Sequence, residues 1–360
     1  MRPNSTLEID LNIIRDNYAT LKQLSVAEVG ASVKANSYGL GVAQITETLI
    51  SCGCTKFFVA DIIEGIELRN LNNSAEIFVL KGIEQGEEEY FLNSNLTAVI
   101  NNLDQLELLN NFYKMQNQKA NAILHVETGL NRLAMLEKEV AELQGNKDLY
   151  SHVNFEYIMS HLASSEEQDN SSNKSQLDKF KTYLKAFPNS KGSLVNSAGV
   201  FLDKEYHYDL VRPGAAIYGI NLNEKMSVFR NPLRLFSRLI QIKEVQLGES
   251  LGYNHTHSFE KNTIVGTIPI GYGDGIFRSL SNKGHLYIND FKVPIIGRVS
   301  MDLINLDLTN LPERFRSIGQ EVDIICASQS ADELAKVCGT IGYEVITHLG
   351  NRIERKYLNK

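Results

Sequence analysis

Eight short apolar runs, spaced by stretches of helical length, dominate the N-terminal part of this 360-residue chain. They are Val29–Val33, Phe57–Ala60, Ile77–Leu80, Thr97–Ile100, Ala122–Val126, Phe155–Met159, Ser193–Val195 and Leu210–Val211. Between them, Ala43–Cys52, Ile63–Leu71, Leu103–Tyr113, Glu137–Leu143 and Lys174–Ala186 mix polar and apolar residues at helical spacing. Strands buried on both faces read as continuous apolar runs, and parallel neighbours need a helical crossover between them. Eight such units predict a (β/α)8 barrel. A doubly wound open sheet carries the same local signature and is the alternative. The Ser- and Asn-rich patch Ser164–Ser175 reads as a loop between barrel runs.

The pattern changes after about residue 225. Leu235–Val245, Thr263–Ile270, Leu286–Val293 and Glu321–Ile325 are strand-like with no crossover helices between them, and Asn289-Asp290 reads as a hairpin turn. A helix is expected at Ala331–Val337. The chain is thus of the α/β class, with a TIM-like barrel over residues 1–225 and a mostly-β domain over 226–360, the junction falling near 222–232. Leu7-Glu8-Ile9-Asp10-Leu11 alternates as a strand, and Leu11, Ile14, Tyr18 and Leu21 follow at helical spacing. These first residues are open to packing with the second domain.

Composition narrows the function. A net charge of −7 and no long basic run argue against nucleic acid as the main partner. No window of eighteen apolar residues is present, so no membrane span is expected. The stretch MRPNSTLEID lacks a signal-peptide core, and the four cysteines form no disulfide framework, so a cytoplasmic protein with reduced thiols is expected. Cys52-Gly53-Cys54 has no evident further ligands, and no metal is expected.

Barrels place their chemistry at the C-terminal ends of strands and in the loops that follow. Lys34 and Tyr38 follow the first run. Leu80-Lys81-Gly82 ends the third, and Glu127-Thr128-Gly129-Leu130-Asn131-Arg132 follows the fifth. Ser160-His161 ends the sixth, Asn196-Ser197 the seventh and Arg212-Pro213-Gly214-Ala215 the eighth. Taken singly, each has a plainer explanation: a snorkelling lysine, a core histidine, a helix cap, a turn. Together they put a lysine opposite an anion cradle on the loops after strands seven and eight, where barrels bind phosphate. Gly214 lets backbone N–H groups approach an anion. A lysine, a phosphate cradle and no nucleotide motif suggest a phosphorylated aldehyde cofactor, and pyridoxal 5'-phosphate fits.

The motifs carry a resemblance nearly end to end, from Leu7-Glu8-Ile9-Asp10 to Arg352. Val33-Lys34-Ala35-Asn36-Ser37-Tyr38-Gly39, Val126 to Leu133, Ser160 to Glu166, Asn196-Ser197-Ala198, Val211 to Gly219, Ile268 to Gly275 and Gly297 to Asp302 occur in the order found in alanine racemases. The chain resembles that family, bacterial fold-type III enzymes that depend on pyridoxal phosphate. The resemblance implies a two-base racemisation of L- and D-alanine, supplying D-alanine for peptidoglycan. Lys34 would carry the cofactor and serve the D face of the substrate. Tyr272 would serve the L face, and a phenol with a pKa of about 10 needs surroundings that favour its anion.

Further roles follow from the same resemblance. A hydrogen-bonded chain would run from Tyr272 through His161 to Arg212, with Arg212 on the ring nitrogen. Arg132 would meet the phenolic oxygen and the substrate carboxylate. Tyr38, Ser197, Gly214, Ala215 and Tyr343 would hold the phosphate, Leu80 and Asn196 would line the cofactor, and the Met301 N–H would meet the substrate carboxylate. The family architecture implies a head-to-tail homodimer in which Tyr272 and Met301 complete the partner's site.

Four positions depart from the family pattern. Leu40 stands where many relatives have His, Ser300 where many have Cys, and Asn131 where Gly is common beside Arg132. His125 takes the place of a lysine that is carbamylated in some relatives. These departures touch the positioning of Arg132 and the substrate range, leaving a racemase of another small amino acid such as serine as the nearest alternative. A non-catalytic cofactor-binding barrel would lack residues 226–360 and Tyr272. A fold-III decarboxylase would need an acidic partner where Arg212 stands, and a worn, merely structural scaffold would be expected to have lost Lys34 or Tyr272.

Overall fold

The computed structural model describes residues 4–71 and 74–360. Two compact units emerge, one of residues 14–37 and 42–230, the other of residues 1–13, 38–41 and 231–360. Among the described residues no helix is long and apolar enough to cross a membrane, and all four cysteines are free thiols.

The first of these units is the barrel. Seven parallel strands form one sheet in chain order: Ala31–Ser32, Lys56–Val59, Glu76–Val79, Thr97–Ile100, Ala120–His125, Val153–Met159 and Lys191–Ser193. The eighth strand, Leu210–Val211, pairs in parallel with Glu28–Val29. Its flanks also reach the seventh strand, through Asp209 N–H to the Gly192 carbonyl and Arg212 N–H to the Val195 carbonyl, both at 3.0 Å. The ring closes because the first strand is split at Gly30. Its first half faces the last strand and its second half faces the second. A Cβ on Gly30 would lie 3.1 Å from both the Lys56 carbonyl oxygen and the Phe58 ring, so glycine lets the chain cross there without displacing either.

Phe58, Phe78, Val99, Ile123, Tyr157, Met159 and Leu210 fill the barrel, with Leu80 packed against them. Phe58 and Phe78 stack at 4.9 Å, and Tyr157 meets Phe78 edge-on. Near the strand starts, the buried Lys56 ammonium is held by Glu28 and Glu76 at 3.1 and 2.7 Å. Outer helices follow the expected periodicity: in Leu11–Leu24, Ile14, Tyr18 and Leu21 are buried, and in Val42–Ser51, Ile45 and Leu49 are.

The other unit is a nine-stranded sheet. Its first strand, Ser5–Asp10, lies between Leu233–Arg238, antiparallel with Leu7 opposite Leu235, and Glu354–Leu358, parallel with Leu7 opposite Arg355. The hairpin at Asn289-Asp290 joins His285–Ile288 to Phe291–Ile296, and Asn289 takes the positive φ of 51° that such a two-residue turn requires.

Some boundaries differ from expectation. Leu235–Val245 is two strands, Leu233–Arg238 and Gln241–Val245. The first pairs with Glu321–Ile325 and the second with Thr263–Ile268, so the chain changes neighbours at Leu239-Ile240. Apolar character runs through the switch because Leu239 is itself buried. The loop expected to reach Ser175 ends at Asn170, whose side chain caps a helix over Ser171–Ala186. The seventh barrel strand is Lys191–Ser193, two residues earlier than its apolar run, because Leu194 and Val195 are buried beyond the ladder. The helices Glu88–Asn93 and Gly342–Thr347 and the strands Ile304–Asp307 and Glu354–Leu358 were not anticipated.

Candidate active site at the barrel mouth

The first strand delivers Lys34 into an unusual turn. Ala35, Asn36, Ser37 and Tyr38 all have φ between 52° and 57°, a left-handed turn without glycine. Such a conformation costs an L-residue about 1–2 kcal/mol, so neighbours must hold it. Glu64 does so, accepting the Ala35 N–H on one carboxylate oxygen and the Ala60 N–H on the other, each at 2.7 Å. The Asn36 side chain accepts the Val42 N–H. Burial pushes the Lys34 ammonium pKa down, the Arg132 charge adds to this, and Glu64 opposes it.

Arg212 extends from the eighth strand and is nearly buried. Nη1 donates to Ser193 Oγ and Nη2 to the Ser160 carbonyl, both at 2.7 Å, and Nη2 reaches His161 Nδ1 at 3.4 Å. Among the described residues it pairs with no carboxylate, and burial alone pushes its pKa down to about 9. It remains a cation at neutral pH. His161 therefore presents a lone pair at Nδ1, and burial with the nearby cations keeps its pKa well below 6.5.

The histidine that ends the fifth strand is neutral too. Burial, with Arg212 and Arg132, pushes the His125 pKa down to about 3. Its Nδ1 lies 2.8 Å from Asn101 Oδ1. Asn101 Nδ2 donates to the Val99 and Leu80 carbonyls, so Oδ1 accepts and His125 Nδ1 carries the proton. Asn101 is missing from the strand-end residues singled out in the sequence. The same rule applied to the fourth run, Thr97–Ile100, reaches it.

Arg132 is exposed on the loop after the fifth strand. The Glu127 carboxylate ties that loop, accepting the Gly129 N–H at 2.5 Å and the Asn131 N–H at 2.9 Å. Asn131 has φ of 54°. Asparagine tolerates this region better than other residues with a Cβ, so it preserves the turn where glycine is common.

After the seventh strand, Ser197 Oγ accepts the Gly214 N–H at 2.9 Å and the Ala216 N–H at 3.2 Å. With both lone pairs used, its hydroxyl proton is left to donate. Gly214 spends its N–H on Ser197, whereas the buried Ala215 N–H meets no acceptor among the described residues. The donors available to an anion are therefore Ser197 O–H and Ala215 N–H. Asn196 Oδ1 accepts from Ser165 Oγ and the Gly199 N–H, a local cap. Leu80 lies at the end of the third strand against the barrel core.

The remaining expected residues belong to the β-rich unit. Tyr38 and Tyr343 have ring centroids 5.9 Å apart. Leu40 is fully buried, and its carbonyl accepts the Tyr357 hydroxyl, which suits an apolar side chain. Tyr272, 44% exposed, stands in a 3-10 turn over Tyr272–Asp274, and Met301 is 54% exposed. Ser300 Oγ both accepts the Leu303 N–H and donates to the Leu303 carbonyl, so serine closes the loop that carries Met301.

A sequence profile described as the N-terminal domain of alanine racemase matches residues 9–222, and one described as the C-terminal domain matches residues 233–357. The chain belongs to the alanine racemase family. An alanine racemase of Rickettsia africae is 45% identical over 355 residues, 98% of this chain and 99% of that protein. That of Rickettsia bellii is 46% identical over 332 residues, 91% of this chain and 81% of that protein. Among solved structures, alanine racemase from Bartonella henselae with covalently bound pyridoxal phosphate has a TM-score of 0.95 at 34% identity, covering 99% of this chain and all of that one. The biosynthetic alanine racemase of Pseudomonas aeruginosa has a TM-score of 0.89 at 30% identity over the full length of both. In this alanine racemase family member, Lys34, Arg212, His161, Ser197 and Ala215 all follow C-terminal ends of barrel strands, where the family's barrel architecture places its chemistry.

Proposed function

We propose that this chain is an alanine racemase, interconverting L- and D-alanine with pyridoxal 5'-phosphate held by Lys34. The observation that carries the reading is a buried cation without a carboxylate partner, Arg212, beside two anion donors left over by the fold, Ser197 O–H and Ala215 N–H. These residues fit a phosphorylated pyridine, with the guanidinium facing the lone pair of the ring nitrogen and the two donors facing the phosphate. Tyr38 and Tyr343 would complete the phosphate seat, with Gly214 acting through Ser197. Leu80 and Asn196 would line the ring.

When bound, the cofactor supplies an electron sink that makes the substrate α-proton removable. Lys34, its ammonium disfavoured by burial, takes or returns a proton on the D face. Tyr272 moves the proton on the L face. One proton leaves from one face and one arrives on the other, so the centre inverts with no net change in protons. Arg212 keeps its own proton at neutral pH and would donate to the ring nitrogen, while His161 stays neutral and holds Arg212 in line. Arg132 and the Met301 N–H would fix the substrate carboxylate. The working form is a cytoplasmic homodimer in which each subunit lends Tyr272 and Met301 to its partner, and its D-alanine is material for peptidoglycan.

The test is racemisation of L-alanine and L-serine in heavy water, reading optical rotation and α-deuterium together. Loss of rotation with alanine is expected. It should vanish in Lys34→Ala and drop by about 10²–10⁴-fold in Tyr272→Phe, the range for a lost general base. Racemisation of serine but not alanine would move the substrate, and racemisation of neither would overturn the reading.

A further inference from the structure

The turn that carries Tyr272 is held from one side by the chain that carries Met301. The Tyr272 N–H donates to the Ser300 carbonyl at 3.0 Å, and the Gly273 N–H to the Met301 carbonyl at 2.9 Å. Gly271 runs against the same two carbonyls, where a Cβ would collide with them. From the other side comes Arg352, a residue that the mechanism above does not use. Its Nε meets Asp274 Oδ1 at 2.8 Å, and its Nη1 meets Asp302 Oδ1 at 2.7 Å. Nη2 lies 2.5 Å from where a Cβ on Gly273 would stand. The second oxygen of Asp274 accepts the Gly271 N–H at 2.9 Å, and its backbone carbonyl accepts the Gly350 N–H. One planar guanidinium thus spans the Tyr272 turn and the Met301 loop, a geometry that a single ammonium cannot reproduce.

We propose that Arg352 is a positioning residue for racemisation, locking the phenol of Tyr272 at a fixed distance from the carboxylate anchor on the Met301 loop. This rests on the roles given to Tyr272 and Met301 above. Arg352 is half exposed, so its ion pairs contribute little to global stability. Proton transfer is far more sensitive: a displacement of about 1 Å can cost roughly 10²-fold in rate.

The experiment compares the wild-type holoenzyme with Arg352→Ala, Arg352→Lys and Asp302→Asn. One readout is amide hydrogen exchange over 271–275 and 300–303. The other is the primary isotope effect with α-deuterated L-alanine and, separately, α-deuterated D-alanine. In Arg352→Ala, exchange in both segments should rise by roughly tenfold or more while the melting temperature stays nearly constant. Turnover should fall by about 10–10²-fold. The isotope effect should grow for L-alanine and shrink for D-alanine, because only the Tyr272 face has been loosened. Arg352→Lys and Asp302→Asn, each keeping one of the two links, should fall between. Unchanged exchange in both segments overturns the proposal, as does a loss of turnover that leaves both isotope effects at their wild-type values. Full racemisation by Tyr272→Phe would instead overturn the reading on which the proposal stands, and the exchange data would separate the two failures.

Discussion

His125 and His161 are kept neutral by burial beside Arg212 and Arg132. In the unfolded chain both titrate near pH 6.5, so below that pH the unfolded chain binds protons that the folded one refuses. The His125 contribution is therefore full above pH 6.5 and falls as pH drops towards 3, with a slope of about 1.4 kcal/mol per pH unit, and His161 acts in the same direction. Urea midpoints measured from pH 4 to 7 should show His125→Asn losing one such increment of slope, and an unchanged slope would refute the assignment. Lys34, His161 and Arg212 were visible in the sequence because a charged or titratable residue directly after an apolar run is anomalous. Glu64, Glu127 and Asn101 were not recognised in their roles. Their partners are backbone amides or a distant ring, and no residue type in a sequence marks which N–H a carboxylate will meet.

At the scale of elements, the left-handed turn after Lys34 is the feature with the least warning. Ala-Asn-Ser-Tyr carries no glycine, and of the four only Asn36 readily accepts positive φ. The conformation is imposed by tertiary contacts, chiefly Glu64, which no local propensity encodes. Ala35→Gly should relieve about 1–2 kcal/mol of strain and lose about 0.5–1 kcal/mol to a freer unfolded chain, a net stabilisation of up to about 1.5 kcal/mol. Turnover should fall several-fold as the lysine loosens. Urea unfolding alongside kcat checks both, and a destabilised variant would show that the turn is unstrained. Most barrel strands, by contrast, were legible because burial on both faces leaves unbroken apolar runs, the exception being Lys191–Ser193, which precedes its run. The split of Leu235–Val245 was not, because a chain that changes neighbours while staying buried keeps one continuous hydrophobic signal.

At the scale of the whole molecule, the proposed sharing of Tyr272 and Met301 between subunits makes a quantitative demand. Lys34→Ala and Tyr272→Phe subunits, each inactive or nearly so alone, should complement after mixing and re-association. Half of the dimers are then hybrids, each with one intact site of two, giving about a quarter of wild-type activity. No recovery would place both bases in the same subunit. The union of the first strand with the last was only left open in the sequence, since pairing across the whole chain leaves no local trace. Thr6 lies opposite Glu354 in that union. Synthesis at about 5–20 residues per second takes roughly 20–70 s to reach the far partner. Barrel strands can pair as they emerge, but Ser5–Asp10 cannot complete its neighbours until residues 354–358 have been made. Ser5–Asp10 is made before every barrel strand yet placed after them, and during that wait Leu7 and Ile9 must be kept from other nascent chains.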